Sequence, residues 1–414
     1  MRRIIASVDI GTSSIKCVVG EIKGQKLNVL AAAESSSEGI KKGLIVDSNQ
    51  ALASLKTNIK KIEELLNLKI TKAICSVPTL GAEFMIGEGS STITNPENIV
   101  GNADVIMTLQ ASVYNKVPTN MELITVIPTV FKLDNEELVK DPKGHITKKL
   151  SVKSVIVMTP KKNVTSVTNL FEKCGIKVVD VFLSGLGDYY SHKTEKFDEG
   201  IGAVINLGYE TTTVSIFNKG VLTNTEVIDL GAKNIDNDFC FIYKIEKKDA
   251  KNLRENLALC HKRMADAAEH ITLTTKLGDE IQINQYEISE IMMSRLSEIM
   301  ELAKKQINLL TKKEISYIIY SGGLTEAKDF NILLESIYGH SATLGSIKEI
   351  GARDNKYSTS LGMIKAFSEF LDLKGKDFSI WNAEELEELS NANTRINIAD
   401  NSLLGKIFGY FFDN

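Results

Sequence analysis

The chain has 414 residues, 43% apolar and 25% charged, with a net charge of −4, which excludes a general electrostatic pull on nucleic acid and fits roughly two to three globular domains. Its five cysteines (Cys17, Cys75, Cys174, Cys240, Cys260) have no metal-ligand spacing and read as free thiols packed in a reducing compartment. No apolar run reaches the roughly 18 residues that cross a bilayer, and MRRIIASVDIG lacks the apolar stretch of a signal peptide, so a cytoplasmic protein is expected unless something tethers it.

The first element is the stretch Ile4 to Gly20, IIASVDIGTSSIKCVVG. An apolar strand runs into the small, hydroxylated turn Gly11-Thr12-Ser13-Ser14, and a second strand leaves from Ile15. A turn of this kind can aim backbone N–H groups at a phosphate. Asp9, at the strand end, is placed to hold the waters of a magnesium ion, and Lys16 to reach a phosphate as a point charge. A plain hairpin with an acidic end explains the motif equally well by itself.

Strands are predicted at Cys17–Glu21 and Leu27–Glu34, turning at Lys23-Gly24. Asp47-Ser48 caps a helix with Leu52, Leu55, Ile59, Ile62 and Leu66 on one face, and Lys72–Val77 is a strand ending at Pro78. From about Thr79 to Val157 the pattern becomes that of a small inserted α+β unit. It holds strands at Glu83–Glu88, Leu123–Leu133 (broken by Pro128) and Lys149–Thr159, with a helix at Asp104–Val113. A helix at Asn163–Cys174, closed by Gly175, and a strand at Lys177–Phe182 follow.

At Gly202 the opening pattern recurs. Ala203–Asn206 is a strand, the loop contains Gly208, Thr212–Phe217 is a strand, Asn218-Lys219-Gly220 turns, and Val221–Leu230 is the next strand. This internal duplication strengthens the reading of the first loop, because two facing phosphate loops can clamp one nucleotide. Residues 239–310 are mostly helical: one helix at Asp249–Leu259, a hairpin within Ile271–Ile283, and a long amphipathic helix at Glu287–Leu310. The strand Glu314–Tyr320 runs into Ser321-Gly322-Gly323 and then the helix Glu326–Tyr338. Glycines there let the backbone approach a flat ligand, although a plain strand-to-helix turn has the same sequence. Ser358–Phe370 is the last helix of the body.

Residues 372–401 read as a polar linker with an acidic cluster. Beyond it, Leu404, Ile407, Phe408 and Phe411 share a helical face flanked by Leu403 and Phe412. Burying six such side chains is worth on the order of 10 kcal/mol before ordering costs. A membrane interface, the protein's own core or a partner groove would serve; the first is favoured, with the apolar face dominating because Lys406 is the segment's one cation.

Together these features resemble the bacterial cell-division FtsA family over the whole chain. VDIGTSSIKCVVGEI is similar to its first phosphate motif, NLGYETTTVSIF to its second, and IIYSGGLTEAKDF to its adenosine motif. VIPTVFKLDN with VKDPKGH resembles part of the family's inserted subdomain, and the tail its membrane-targeting helix. The resemblance implies an α/β, actin-like, two-lobed fold of duplicated ribonuclease-H-like domains, with an inserted α+β subdomain and a C-terminal amphipathic helix. The expected divisions are 1–78 with 158–195 (first lobe), 79–157 (insertion), 196–238 with 309–371 (second lobe), 239–308 (its subdomain), 372–401 (linker) and 402–414 (membrane helix).

The resemblance further implies ATP and Mg2+ as cofactors, filaments of the chain itself, and FtsZ, a lipid surface and other division proteins as partners. The location implied is the cytoplasmic face of the membrane at the division site. Carried over residue by residue, Gly11, Thr12, Ser13 and Lys16 form the first phosphate grip, and Gly208, Thr212 and Thr213 the second. Gly322 and Gly323 form the adenosine turn, with Lys251 and Arg254 near the nucleoside. Asp9 is associated with magnesium, and Asn206 stands where the family has an aspartate. Tyr209 and Glu210 occupy a normally small stretch, and Lys251 reverses the charge of its counterpart. These departures predict nucleotide binding with weak or no turnover. A sugar- or acetate-type kinase and a pilus-assembly platform of the same superfamily are the alternatives.

Overall fold

The computed structural model describes residues 2–24, 26–382 and 385. The chain opens with β1 (Arg2–Ile10), β2 (Ser14–Lys23) and β3 (Lys26–Ser36), an antiparallel meander whose first strand is buried along nearly its whole length. Burial on both faces is why IIASVDI reads as a continuous apolar run rather than an alternation. A short hairpin follows, β4 (Ile40–Lys41) and β5 (Leu44–Ile45). Helix α1 (Ser48–Leu66) begins where the Asp47 carboxylate accepts from the amides of Asn49 and Gln50, and ends at Asn67 in the left-handed region. Its buried face carries Ala51, Leu55, Ile59, Ile62 and Leu66. Then β6 (Lys72–Val77) adds to β1 in parallel.

The insertion holds β7 (Glu83–Thr92), α2 (Asn102–Val113), β8 (Met121–Lys132), β9 (Leu138–Val139) and β10 (Lys149–Pro160), in sheet order β7-β10-β8-β9. It has a small core of its own around Val105, Phe131 and Leu150. Pro128 does not break β8. The strand continues through a register shift between Lys153 and Ser154 of β10, where a bulge takes up the residue next to Pro128.

After α3 (Lys161–Lys173), β11 (Lys177–Leu183) pairs in parallel with β6 and completes the first sheet, β11-β6-β1-β2-β3. Helix α4 (Ser184–His192) leads into the second lobe: β12 (Ile201–Leu207), β13 (Thr212–Asn218) and β14 (Val221–Ile228). Next come α5 (Ala232–Tyr243), α6 (Lys247–Asn252), the hairpin β15 (His270–Thr274) and β16 (Glu280–Asn284), and α7 (Gln285–Leu310). Then β17 (Tyr317–Ser321), α8 (Phe330–Tyr338), β18 (Thr343–Leu344) and α9 (Ser358–Lys374) close the body. The second sheet, β14-β13-β12-β17-β18, repeats the first strand for strand: a three-strand antiparallel meander extended by two parallel strands.

Four further expectations are corrected. The helix at Asp249–Leu259 is α6 followed by one π-helical turn at Leu253–Leu257. The helix expected from Glu326 is a 3-10 turn at Gly323–Glu326, and α8 starts only after Asp329, whose φ is +63°. Helix α9, assigned to the second lobe, packs on the first: Leu361, Ile364, Phe367 and Leu371 share a core with Ile4, Ile5 and Val18. The linker does not begin at 372. Ile380 and Trp381 are buried, the Ile380 amide donates to the Ile4 carbonyl at 2.9 Å, and the Trp381 indole donates to the Lys69 carbonyl at 2.9 Å. Residues 383–384 and 386–401 of the expected linker, and Leu403, Leu404, Ile407, Phe408, Phe411 and Phe412, lie outside the described residues.

Helices α4 and α9 cross between the two sheets. A Cβ on Gly362 would lie 1.7 Å from the Gly187 carbonyl oxygen, so the crossing is as close as two backbones permit.

Candidate functional site

The β1–β2 and β12–β13 turns are built alike. In the first, Asp9 pairs with Lys16 across the ladder and the Gly11 amide donates to the Ser14 carbonyl at 3.1 Å. In the second, Leu207 pairs with Thr212 and the Gly208 amide donates to the Thr211 carbonyl at 3.0 Å. Asp9 and Asn206 therefore hold the same place, two residues before the turn glycine.

Both turns line one cleft, a cavity of ≈ 720 Å³ between the lobes, within the range of nucleotide-sized sites. The cleft collects Asp9, Gly11, Thr12, Ser13 and Lys16 from the first lobe, and Asn206, Gly208 and Thr213 from the second. Lys251, Arg254, Gly322 and Gly323 line it too. Thr212 is the exception: its side chain is fully buried and its hydroxyl donates to the Leu230 carbonyl at 2.9 Å. Side chains alternate along a strand, so Thr211 and Thr213 face the cleft while Thr212, Val214 and Ile216 face the core.

Each turn is held by its neighbours. The Ser76 hydroxyl, at the end of β6, donates to Asp9 at 2.8 Å and accepts from the Ile10 amide at 2.9 Å. Lys16 Nζ lies 3.8 Å from Asp9 Oδ2. Thr12 accepts from the Gly43 amide at 2.9 Å, and the start of α5 donates to the second turn, Ala232 to the Gly208 carbonyl at 3.0 Å and Lys233 to the Tyr209 carbonyl at 2.8 Å.

Glu210 sits at the rim and does not line the cleft. Its carboxylate takes the Lys233 ammonium at 2.6 Å and the Lys42 amide at 2.8 Å. Burial pushes its pKa up, but those two partners outweigh it and hold the carboxyl below the usual range. No like charge from this side chain therefore meets a phosphate. Arg254 is buried against Asp236 at 2.6 Å, and Lys251 lies 3.8 Å from Glu255.

The residues fit a nucleotide. Among the described residues no protein acceptor meets the amides of Thr12 or Ser13, which leaves them for an anion. Gly322 has φ +94°, and a Cβ there would stand 2.6 Å from Asn206 Oδ1. Magnesium needs only one or two protein oxygens beside phosphate and water, which Asp9 and Asn206 can supply. The described residues hold no all-protein cluster of three or more metal ligands.

Sequence reasoning missed several cleft residues. Thr211 was legible from strand alternation. Ser76, Glu34 and Lys356 (the last two paired at 2.9 Å) carry no local motif and meet the cleft only through the tertiary fold.

The model of the family described as "Cell division protein FtsA" matches residues 203–362, and that of the "SHS2 domain inserted in FTSA" matches residues 81–158, the insertion. The chain belongs to the FtsA family. Curated FtsA proteins are similar over most of its length. That of Bacillus subtilis (strain 168) is 26% identical over 385 residues, 92% of this chain and 87% of the relative. That of Pseudomonas aeruginosa is 24% identical over 372 residues, 87% and 88% of the two chains. The FtsA chain also has an actin-like fold. A type IV pilus PilM–PilN complex matches with a TM-score of 0.58 at 12% identity, covering 86% of this chain and 96% of the other. MreB5 of Spiroplasma citri bound to ADP matches with a TM-score of 0.53 at 12% identity, covering 89% and 97%. These structural likenesses concern the fold alone.

Proposed function

We propose that the protein binds ATP with Mg2+ in the interlobe cleft, assembles with copies of itself, and tethers FtsZ to the cytoplasmic face of the membrane at the division site. The observation that carries the nucleotide part is the convergence of two equivalent glycine turns on one cleft. Gly11 to Ser13 with Lys16, and Gly208 with Thr211 and Thr213, would hold the phosphates. Gly322 and Gly323 would meet the nucleoside beside Lys251 and Arg254, and Asp9 and Asn206 would face the ion. Magnesium, when bound there, would neutralise phosphate charge between the two turns.

Turnover is slow or absent in this reading. Asn206 is a neutral partner for the ion, and the cleft carboxylates Glu34, Glu255, Glu326 and Asp354 are each engaged by a cation or a backbone amide. That pairing disfavours a free base and, with it, a small-molecule kinase. The inserted domain and family membership favour a division protein over a pilus platform, despite the PilM likeness.

Membrane attachment rests on the apolar residues that recur at helical spacing in the sequence of 402–414. Three measurements test the proposal: filter binding of radiolabelled ATP at millimolar Mg2+, co-sedimentation with liposomes, and co-sedimentation with FtsZ. Saturable ATP binding, and lipid pelleting lost on deletion of 402–414, are expected. Pelleting that survives the deletion refutes the membrane part, absence of ATP binding refutes the nucleotide part, and failure to co-sediment with FtsZ refutes the tether.

A further inference from the structure

Behind Asn206 lies Asp188, a carboxylate in the middle of α4 that no motif marks. It is almost fully buried, at 1% exposure. One oxygen, Oδ1, accepts from Ser358 at 2.7 Å and Thr359 at 2.8 Å, the first residues of α9. The other, Oδ2, accepts from Asn206 Nδ2 at 2.7 Å. An ionised carboxylate only accepts hydrogen bonds, so the amide must present its NH2 to Asp188 and turn its carbonyl oxygen the other way. That oxygen lies against Gly322, on the cleft side, and takes no protein hydrogen bond among the described residues.

We propose that Asp188 is a positioning residue for the metal. It orients Asn206 with the carbonyl oxygen toward the cleft, and supplies from one shell behind the negative charge that an aspartate at 206 would carry. Left unconstrained, Asn206 could turn its NH2 group toward the ion, a donor where an acceptor is needed. Burial favours the neutral acid, while the three donors stabilise the charge. Ser358 and Thr359 tie the arrangement to α9, so the phosphate turn of the second lobe is braced against the helix that packs on the first.

The inference rests on the nucleotide reading, and its test separates the two. ATP affinity is measured by calorimetry with Mg2+ and with EDTA, and the readout is the ratio of the two constants. If the wild-type protein binds ATP in neither condition, the nucleotide reading fails first. Given wild-type binding that tightens with Mg2+, Asp188→Asn should cut the ratio by about tenfold. The exchange variant Asp188→Asn/Asn206→Asp should restore it, because the charge returns to the cleft and the amide to the helix. A merely structural role for Asp188 would shift both constants together and leave the ratio intact. An unchanged ratio in Asp188→Asn, or an exchange variant no better than Asp188→Asn, overturns the proposal. Should Asp188→Asn fail to fold, the exchange variant decides alone: a wild-type ratio supports the inference and a collapsed one sinks it.

Discussion

Glu210 of the second lobe accepts a 2.8 Å hydrogen bond from the backbone amide of Lys42 in the first, so one side chain bridges the rim of the cleft. Lys42 completes the clasp, its ammonium lying 2.6 Å from Asp229. The adjacent Gly43 amide reaches Thr12, so a single two-residue turn contacts both phosphate turns. Replacing Glu210 with Gln keeps the shape and removes the charge that holds Lys233 and Lys42. Loss of charge-assisted bonding of about 1.5 kcal/mol should speed nucleotide release roughly tenfold in stopped-flow chase experiments. An unchanged release rate would show that the clasp does not hold the lobes closed.

The α4–α9 crossing permits a sharp test of packing. In Gly362→Ala the new methyl carbon would fall on the Gly187 carbonyl, and backbone cannot yield as a flexible side chain does. A loss of about 3 kcal/mol in denaturant unfolding is expected. Gly24→Ala adds its methyl to open space, although its φ of +64° carries a smaller backbone strain, and should cost clearly less.

His192 is buried with Nε2 2.9 Å from Ser321 Oγ, and burial pushes its pKa down to about 4, with Lys365 adding to the fall and Ser346 and Glu349 opposing it. A folded-state pKa below the unfolded value means that the unfolded chain binds the extra proton. The contribution is complete above the unfolded pKa and is lost as pH falls from there toward about 4. Asp188, raised to about 6 by burial, acts in the opposite direction, so the total pH profile hides the histidine. The difference between wild type and His192→Gln isolates it. That stability gap should shift against wild type by about 2 kcal/mol between pH 7.5 and 5. A gap that does not change with pH would mean His192 titrates normally.

Trp381 is the single tryptophan and is buried on the first lobe through its indole bond to Lys69. Trp381→Ala should cost about 3–5 kcal/mol. In the wild type the same residue is a probe: its fluorescence should be blue-shifted and protected from quenchers until global unfolding. An early, separate fluorescence transition would show that the 376–381 segment peels off alone.

Much of this was readable from the residues. The two turns were visible because a short glycine turn between apolar strands recurs about two hundred residues later in the same order. Asp47 announced its helix because a capping carboxylate and an apolar stripe are local signals. Asp188, helix α9 and Trp381 were missed for one cause: each needed a partner far along the chain. Asp188 reads as an ordinary helix residue until Asn206, Ser358 and Thr359 are brought to it. Helix α9 could not be allotted to a lobe from its own pattern, because its apolar residues say that it is buried and not against what. Trp381 was lost in a polar stretch whose average composition concealed Phe378, Ile380 and Trp381. The error at Thr212 was avoidable, since the period of two that marks the strand also fixes which face each threonine takes.

The most direct test is a crystal structure of the full chain with ATP and Mg2+. The triphosphate should lie between the turns at Gly11–Ser14 and Gly208–Thr211, with the base against Gly322 and Gly323. A nucleotide that contacts one turn only, or that binds outside this cleft, would contradict the account.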